Sequence, residues 1–301
     1  MNKAFVLGGS GFLGNYLIEE LINAGSNISA LVHNSSLSHL KEHVSIHRGS
    51  LTDFDWKNLE GDLPDVIYHS ARMSGTDRKS RLKAAHRNKK ANERLLEWLH
   101  SLDKPPLLVY VSGTLVYGSH AEKQIDESCQ PQPISFQKQY FEAEKPILKA
   151  MHPQKIPLII VRPSWIYGIG SWFQAFYLNY MQKKQKVPLY GHGDNLMAFI
   201  HVRDAAAMMI YAANNYHSNA IYNLFTCHAI PQREFSEELA YHSELQLTNV
   251  PAWWLRIRFD KAVSEAFRFS LNLTTKHYGL WENYHPYYPR VKDWIADIFK
   301  E

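Results

Sequence analysis

Only two cysteines, Cys129 and Cys227, occur in this 301-residue chain, and neither sits at a metal-ligand spacing. Their scarcity argues against a disulfide framework and against a cysteine metal site, and it fits a reducing cytoplasm. Long apolar runs are missing too. None approaches the roughly 20 residues that cross a bilayer, so no membrane partner is expected, and no charged-then-apolar leader precedes the first strand-like run. Excess charge of one sign is also lacking. The formal net charge is +4, from 33 Lys and Arg against 29 Asp and Glu, a balance that gives no reason to expect nucleic acid as a partner. Internal repeats and low-complexity tracts are absent, which removes solenoid and array architectures.

What remains is the composition of a globular protein, 45% apolar and 21% charged, long enough for a large core in one domain or two. One basic run, Arg78, Lys79, Arg81, Lys83, Arg87, Lys89 and Lys90, reads either as a solvated loop and helix face or as a site for an anionic partner. Among the 16 histidines, His69, His192, His201 and His228 are candidates to titrate near neutrality.

The most informative stretch is Lys3-Ala-Phe-Val-Leu-Gly-Gly-Ser-Gly-Phe-Leu-Gly14. An apolar run of strand character, Ala4 to Leu7, enters glycines at 8, 11 and 14, and a helical pattern is expected from Asn15. Gly8 permits the tight turn, Gly11 lets backbone N–H groups approach a pyrophosphate, and Gly14 allows close helix–strand packing. The phosphates would sit at the positive end of the helix. Further strands are expected at 28–32, 44–47, 65–69, 107–112 and 158–162, with helices near 83–102 and 136–151. This βαβ alternation predicts an α/β, doubly wound, mostly parallel sheet. The final third changes character and is crowded with Trp253, Trp254, Phe267, Phe269, Tyr278, Trp281, Tyr284, Tyr287 and Tyr288. These read either as the core of a small subdomain or as an aromatic lid over a pocket.

Several landmarks fall in order after Gly8-x-x-Gly11-x-x-Gly14. They are Gly49-Ser-Leu-Thr-Asp53, Ile67-Tyr-His-Ser-Ala71, Asn88-x-x-Ala-Asn-x-Arg-Leu-Leu-Glu97 and Val111-Ser-Gly-Thr-Leu-Val-Tyr-Gly118. Val161-Arg-Pro-Ser-Trp-Ile-Tyr-Gly168 and Phe199-Ile-His-Val-Arg-Asp-Ala205 complete the series. Together they resemble the extended short-chain dehydrogenase/reductase superfamily of the NAD-dependent epimerase/dehydratase type. The resemblance implies a Rossmann-type sheet formed by residues 1–165 with 195–225 returning to it. A smaller C-terminal substrate-binding subdomain would comprise 166–194 and 226–301. It also implies an NAD(P)(H)-binding epimerase, dehydratase or reductase acting on a small organic or nucleotide-linked substrate. The cofactor would meet Gly8, Ser10, Gly11, Phe12, Leu13 and Gly14 at the turn, then His33 and Asn34, Ser50 and Leu51, and Ser70, Ala71 and Arg72. Asn88, Val111, Ser112, Pro163 and Ser164 would complete its surroundings.

The end of the second strand, Leu31-Val-His-Asn-Ser-Ser36, holds no carboxylate to meet the ribose hydroxyls of NAD. His33 stands where many NADP-preferring relatives carry arginine, so NADP(H) is favoured over NAD(H). Ser50 stands where the family often has an aspartate facing adenine. The catalytic positions depart further. The family's Tyr, the Lys four residues later on the same helical face, and a Ser or Thr on the neighbouring strand end fall here on Phe136, Tyr140 and Gly113. Thr114 lies beside the last. If Tyr140 were taken as the proton donor, its i+4 neighbour would be Glu144, and Lys145 would point about 140° away from it around the helix. The expectation is therefore an atypical centre, with a redox-inactive scaffold, sensor or non-redox catalyst on the same fold as the alternative. No metal is expected. Monomer and homodimer both stay open, because self-packing of the helix bearing Arg87, Lys89, Lys90 and Arg94 would need acidic partners such as Glu142 and Glu144. Arg233, Arg256 and Arg258 are candidates to meet a substrate diphosphate, while the aromatic content favours an apolar or ring-bearing substrate.

Overall fold

A computed structural model describes residues 2–33, 40–75, 77–153, 155–258 and 261–299, with Lys41, Arg78, Phe136, Ala252, Arg258 and Ala262 as backbone only. The chain opens with β1 (Lys3–Leu7), α1 (Phe12–Asn23), β2 (Asn27–Val32), β3 (Val44–Arg48) and β4 (Val66–His69). Then come α2 (Arg78–Ser101), β5 (Leu107–Val111), β6 (His120–Ile125), α3 (Ser135–Ala150), β7 (Leu158–Pro163) and β8 (Trp165–Tyr167). The middle runs through α4 (Asn179–Lys184), β9 (Lys186–Tyr190), β10 (Leu196–Met197), β11 (Phe199–His201), α5 (Val202–Asn214) and β12 (Ala220–Leu224). After β13 (Ile230–Pro231) follow α6 (Gln232–Ser243), β14 (Gln246–Val250), α7 (Ala252–Arg258), α8 (Lys261–Ala266), β15 (Leu271–Leu273), α9 (Tyr278–Trp281) and α10 (Val291–Ile298).

Close contacts divide the chain into two compact units. One holds Met1–Ser112, Gln139–Arg162 and Ala206–Tyr222, the other Gly113–Lys138, Pro163–Ala205 and Asn223–Glu301. This differs from the division expected from sequence. Residues 113–138 join the second unit because β6 pairs in parallel with β15. Residues 195–205 join it as well, since β11 pairs with β8.

The first unit is built on a seven-stranded sheet of order β3-β2-β1-β4-β5-β7-β12. The five pairings from β3 to β7 are all parallel. Every residue of β4 and of β7 is buried, which is why, His69 and Arg162 apart, these strands read as apolar runs and not as alternating ones: both faces are covered. Phe5, Leu7, Leu31, Leu95, Leu99, Leu108 and Ile160 share one core with Trp56 and Trp98, whose rings stack at 5.5 Å. Each such side chain is worth about 1.5–3 kcal/mol of burial. Strand order reverses between β1 and β4, the switch point where open α/β sheets bind ligands.

Two helix starts differ from expectation. α1 begins at Phe12, three residues before Asn15, because Gly11 itself is the N-cap. α2 begins at Arg78 rather than near Lys83, since Asp77 and Ser80 form a reciprocal capping box. Of the basic run, Lys89 faces Glu93 at 3.9 Å.

The second unit packs Tyr167, Phe173, Tyr177, Phe199, Phe235 and Trp294 into its own core. Phe267 and Phe269 are buried, whereas Trp253, Tyr278 and Tyr287 are exposed, so the aromatic tail is core only in part. Asp204 anchors it: Oδ1 accepts from Tyr287 N at 2.7 Å and Oδ2 from Tyr288 N at 3.0 Å. Among the described residues, no helix is long and apolar enough to cross a membrane, and no cluster of His, Cys, Asp and Glu could hold a metal.

Candidate functional site

β1 delivers the chain into Gly8 at a φ of +88°. A Cβ there would lie 2.7 Å from Ala71 N, and one at Gly14 would lie 2.0 Å from Gly8 O. Glycine is required at both positions because backbone meets backbone. Ser70, at the end of β4, donates to Leu7 O from its N at 3.0 Å and from its Oγ at 2.9 Å. Gly11 N closes the turn on Gly8 O at 2.9 Å. No side chain caps α1 and no acid sits in its first turn, so its leading amides and positive dipole end stay available for an anion. These features fit a bound dinucleotide, whose pyrophosphate would meet the backbone of 11–14.

The turn, Ser70-Ala71-Arg72 and Val111-Ser112 all belong to the first unit, on the adjacent strands β1, β4 and β5. Phe12 is half-buried beside Tyr16, with rings 6.1 Å apart, while the Leu13 side chain turns into the core. His33 is exposed just past β2, and Asn34 lies outside the described residues. Ser50 Oγ donates to Asp53 Oδ2 at 2.5 Å, with Leu51 buried beside it. The hydrogen bonds from Ser50 and Thr52 hold the Asp53 carboxyl below its usual range. Asn88 is buried and bonds the backbone of Met73, accepting from Met73 N at 3.0 Å and donating to Met73 O at 2.9 Å. Its part in the fold is to pin the loop that carries Arg72. Pro163 and Ser164 fall in the second unit, as do Gly113 and Thr114. Ser164 N donates there to Leu224 O at 2.9 Å, and Thr114 is buried.

On α3, Phe136 lies outside the described side chains. Tyr140 is buried, and the Arg72 guanidinium stands 4.1 Å over its ring. Lys138, Lys145 and Lys149 occupy exposed positions, Lys145 paired with Glu142 at 2.5 Å. One turn beyond Tyr140, Glu144 is buried between Arg162 Nη2 at 2.9 Å and Ser112 Oγ at 2.5 Å. It is therefore not available as an acidic partner for a self-packed helix.

A second buried network lies beneath these residues. Asn92 Nδ2 donates to Ala143 O at 2.7 Å, which turns its Oδ1 towards His69 Nε2 at 2.9 Å. His69 therefore carries its hydrogen on Nε2. Burial pushes His69 down to about 4, and burial likewise takes His201 to about 4, so neither titrates near neutrality in the folded chain. An unfolded histidine takes its proton near 6.5. Their contribution is intact above that value and is lost as pH falls towards 4, at up to about 1.4 kcal/mol per pH unit for each. His69→Gln should flatten the fall in stability between pH 6.5 and 4 in denaturant melts. Slopes equal to those of the unchanged chain would contradict this assignment. Of these two buried networks only His69 stands out as a candidate in the sequence; its partner Asn92 and the separate Glu144–Arg162 pair do not. The one available signal was a charged residue, Arg162, inside an otherwise apolar strand.

A model of the NAD dependent epimerase/dehydratase family matches residues 4–224. The chain belongs to that family. Human dTDP-D-glucose 4,6-dehydratase is 22% identical over 324 aligned positions, covering 99% of this chain and 91% of its own. The fold is similar to that of the human epimerase family protein SDR39U1 solved with NADPH, with a TM-score of 0.82, 16% identity and 99% of each chain covered. It is also similar to dTDP-glucose 4,6-dehydratase from Bacillus anthracis in complex with NAD. There the TM-score is 0.79 at 18% identity, over 100% of this chain and 96% of the other.

Proposed function

We propose that this chain holds a nicotinamide dinucleotide on the glycine turn of its first unit, NADP(H) in preference to NAD(H). It acts in the cytoplasm on a small organic or nucleotide-linked substrate, from a rewired catalytic centre. The observation that carries the reading is the turn itself, where Gly8 and Gly14 leave no room for a Cβ and α1 starts without a capping side chain. The absence of a carboxylate just after β2 supports the NADP(H) preference. The NADPH of the human structural neighbour is consistent with it. Two free cysteines agree with a reducing compartment.

When bound, the nicotinamide would supply hydride transfer. The family motifs, laid on this sequence, put its catalytic positions on Gly113, which brings no hydroxyl, and on Tyr140, where the resemblance implies a lysine. Losing a general acid forfeits about 10²- to 10⁴-fold in rate, and losses within one catalytic unit do not simply multiply. The lysines of α3 at exposed positions favour a second reading, a dinucleotide-bound scaffold or non-redox catalyst. Incubation with dTDP- and UDP-sugars and with ring-bearing carbonyl compounds, supplied with either NADP+ or NADPH and followed both by product analysis and by nicotinamide absorbance, separates the two. A changed sugar or a net change in absorbance supports the enzyme, whereas dinucleotide binding with neither across the panel supports the redox-inactive form.

A further inference from the structure

Ser112 directly follows β5, an interior strand of the sheet that carries the glycine turn, and its hydroxyl hydrogen is already committed. Its Oγ donates to Glu144 Oε2 at 2.5 Å. The other carboxylate oxygen takes Arg162 Nη2 at 2.9 Å, and the side chains of the acid and the guanidinium are 2% and 1% exposed. A carboxylate offers only lone pairs. Turning the Ser112 hydrogen away would leave a buried acceptor without its donor. Ser112 itself is half-buried, so the side of Oγ that faces away from Glu144 carries lone pairs and no hydrogen.

We infer that Glu144, held by Arg162, is a positioning residue that makes Ser112 a one-way acceptor for a hydroxyl of the ribose next to the nicotinamide. The polarity of the site selects the partner. A carbonyl has no hydrogen to give such an oxygen, and a ribose hydroxyl has one. The strand order selects the ribose. With the pyrophosphate on the turn after β1, the adenosine half lies towards β2 and the other nucleoside lies over β4 and β5. Ser112 thereby takes on a ribose-holding role for which α3 has no lysine at a buried position. This rests on the dinucleotide reading given above.

Binding of NADPH and NADH, compared with ADP as a probe lacking the nicotinamide ribose, tests it in the unchanged chain and in Ser112→Ala, Ser112→Thr, Glu144→Gln and the Ser112→Ala/Glu144→Gln double variant. Ser112→Ala should weaken the reduced dinucleotides about five- to tenfold, the size of one lost hydrogen bond, and leave ADP unchanged. Ser112→Thr, which keeps the hydroxyl, should restore binding. Glu144→Gln should lose as much as Ser112→Ala, and the double variant no more than either. Unaltered NADPH binding by Ser112→Ala, or losses that multiply in the double variant, would overturn the inference. Ser112→Ala decides even if Glu144→Gln fails to fold. An unchanged chain that binds none of the three ligands overturns the dinucleotide reading as well, so the two failures are told apart.

Discussion

Gly14→Ala is expected to abolish dinucleotide binding and to destabilise the first unit by about 3 kcal/mol, the upper end of ordinary overpacking. The added Cβ would stand 2.0 Å from Gly8 O and 2.8 Å from both Gly8 C and Gly9 Cα. All three are backbone atoms, so no side chain can swing away. Relief requires α1 to lift from β1, and that movement carries the amides of its first turn out of register with a pyrophosphate. Gly61→Ala is the control, since nothing lies within 4 Å of its added Cβ. NADPH titration and thermal melts should separate the two variants clearly. A Gly14→Ala protein that binds NADPH and melts with the Gly61→Ala protein would contradict the role given to the turn.

Arg162→Leu should destabilise the first unit by about 3–5 kcal/mol. It removes the guanidinium and leaves the Glu144 carboxylate buried with Ser112 as its remaining described donor. The penalty is that of an uncompensated buried charge, not the net worth of the pair. Replacing both residues, as Glu144→Leu with Arg162→Leu, should therefore recover most of the loss. Urea denaturation of the two variants checks the sign. A double variant as unstable as the single would show that packing volume, not charge, sets the cost.

The central strands were legible because a parallel sheet covered on both faces leaves continuous apolar runs. Val66–His69 and Leu158–Pro163 needed nothing more than their flanking prolines to be found. The glycine turn was legible for the same reason of local chemistry. What escaped reading depends on partners far apart in sequence. The pairing of β15 with β6 and of β11 with β8 carries no local signal, which is why the division into units shifted. Ser112, Glu144 and Arg162 come from the end of β5, α3 and β7, and His69 and Asn92 from β4 and α2; only the folded sheet brings each set together. The start of α1 was missed because a glycine N-cap has no side chain to announce it.

The claim on which the rest stands is that the turn after β1 holds a nicotinamide dinucleotide. Titration of the unmodified chain with NADPH, followed by the heat released and by nicotinamide fluorescence, tests it most directly. Saturable binding at one site per chain, tighter for NADPH than for NADH, is the predicted result. A folded chain that shows neither heat nor a change in emission with either nucleotide at millimolar concentration would contradict it.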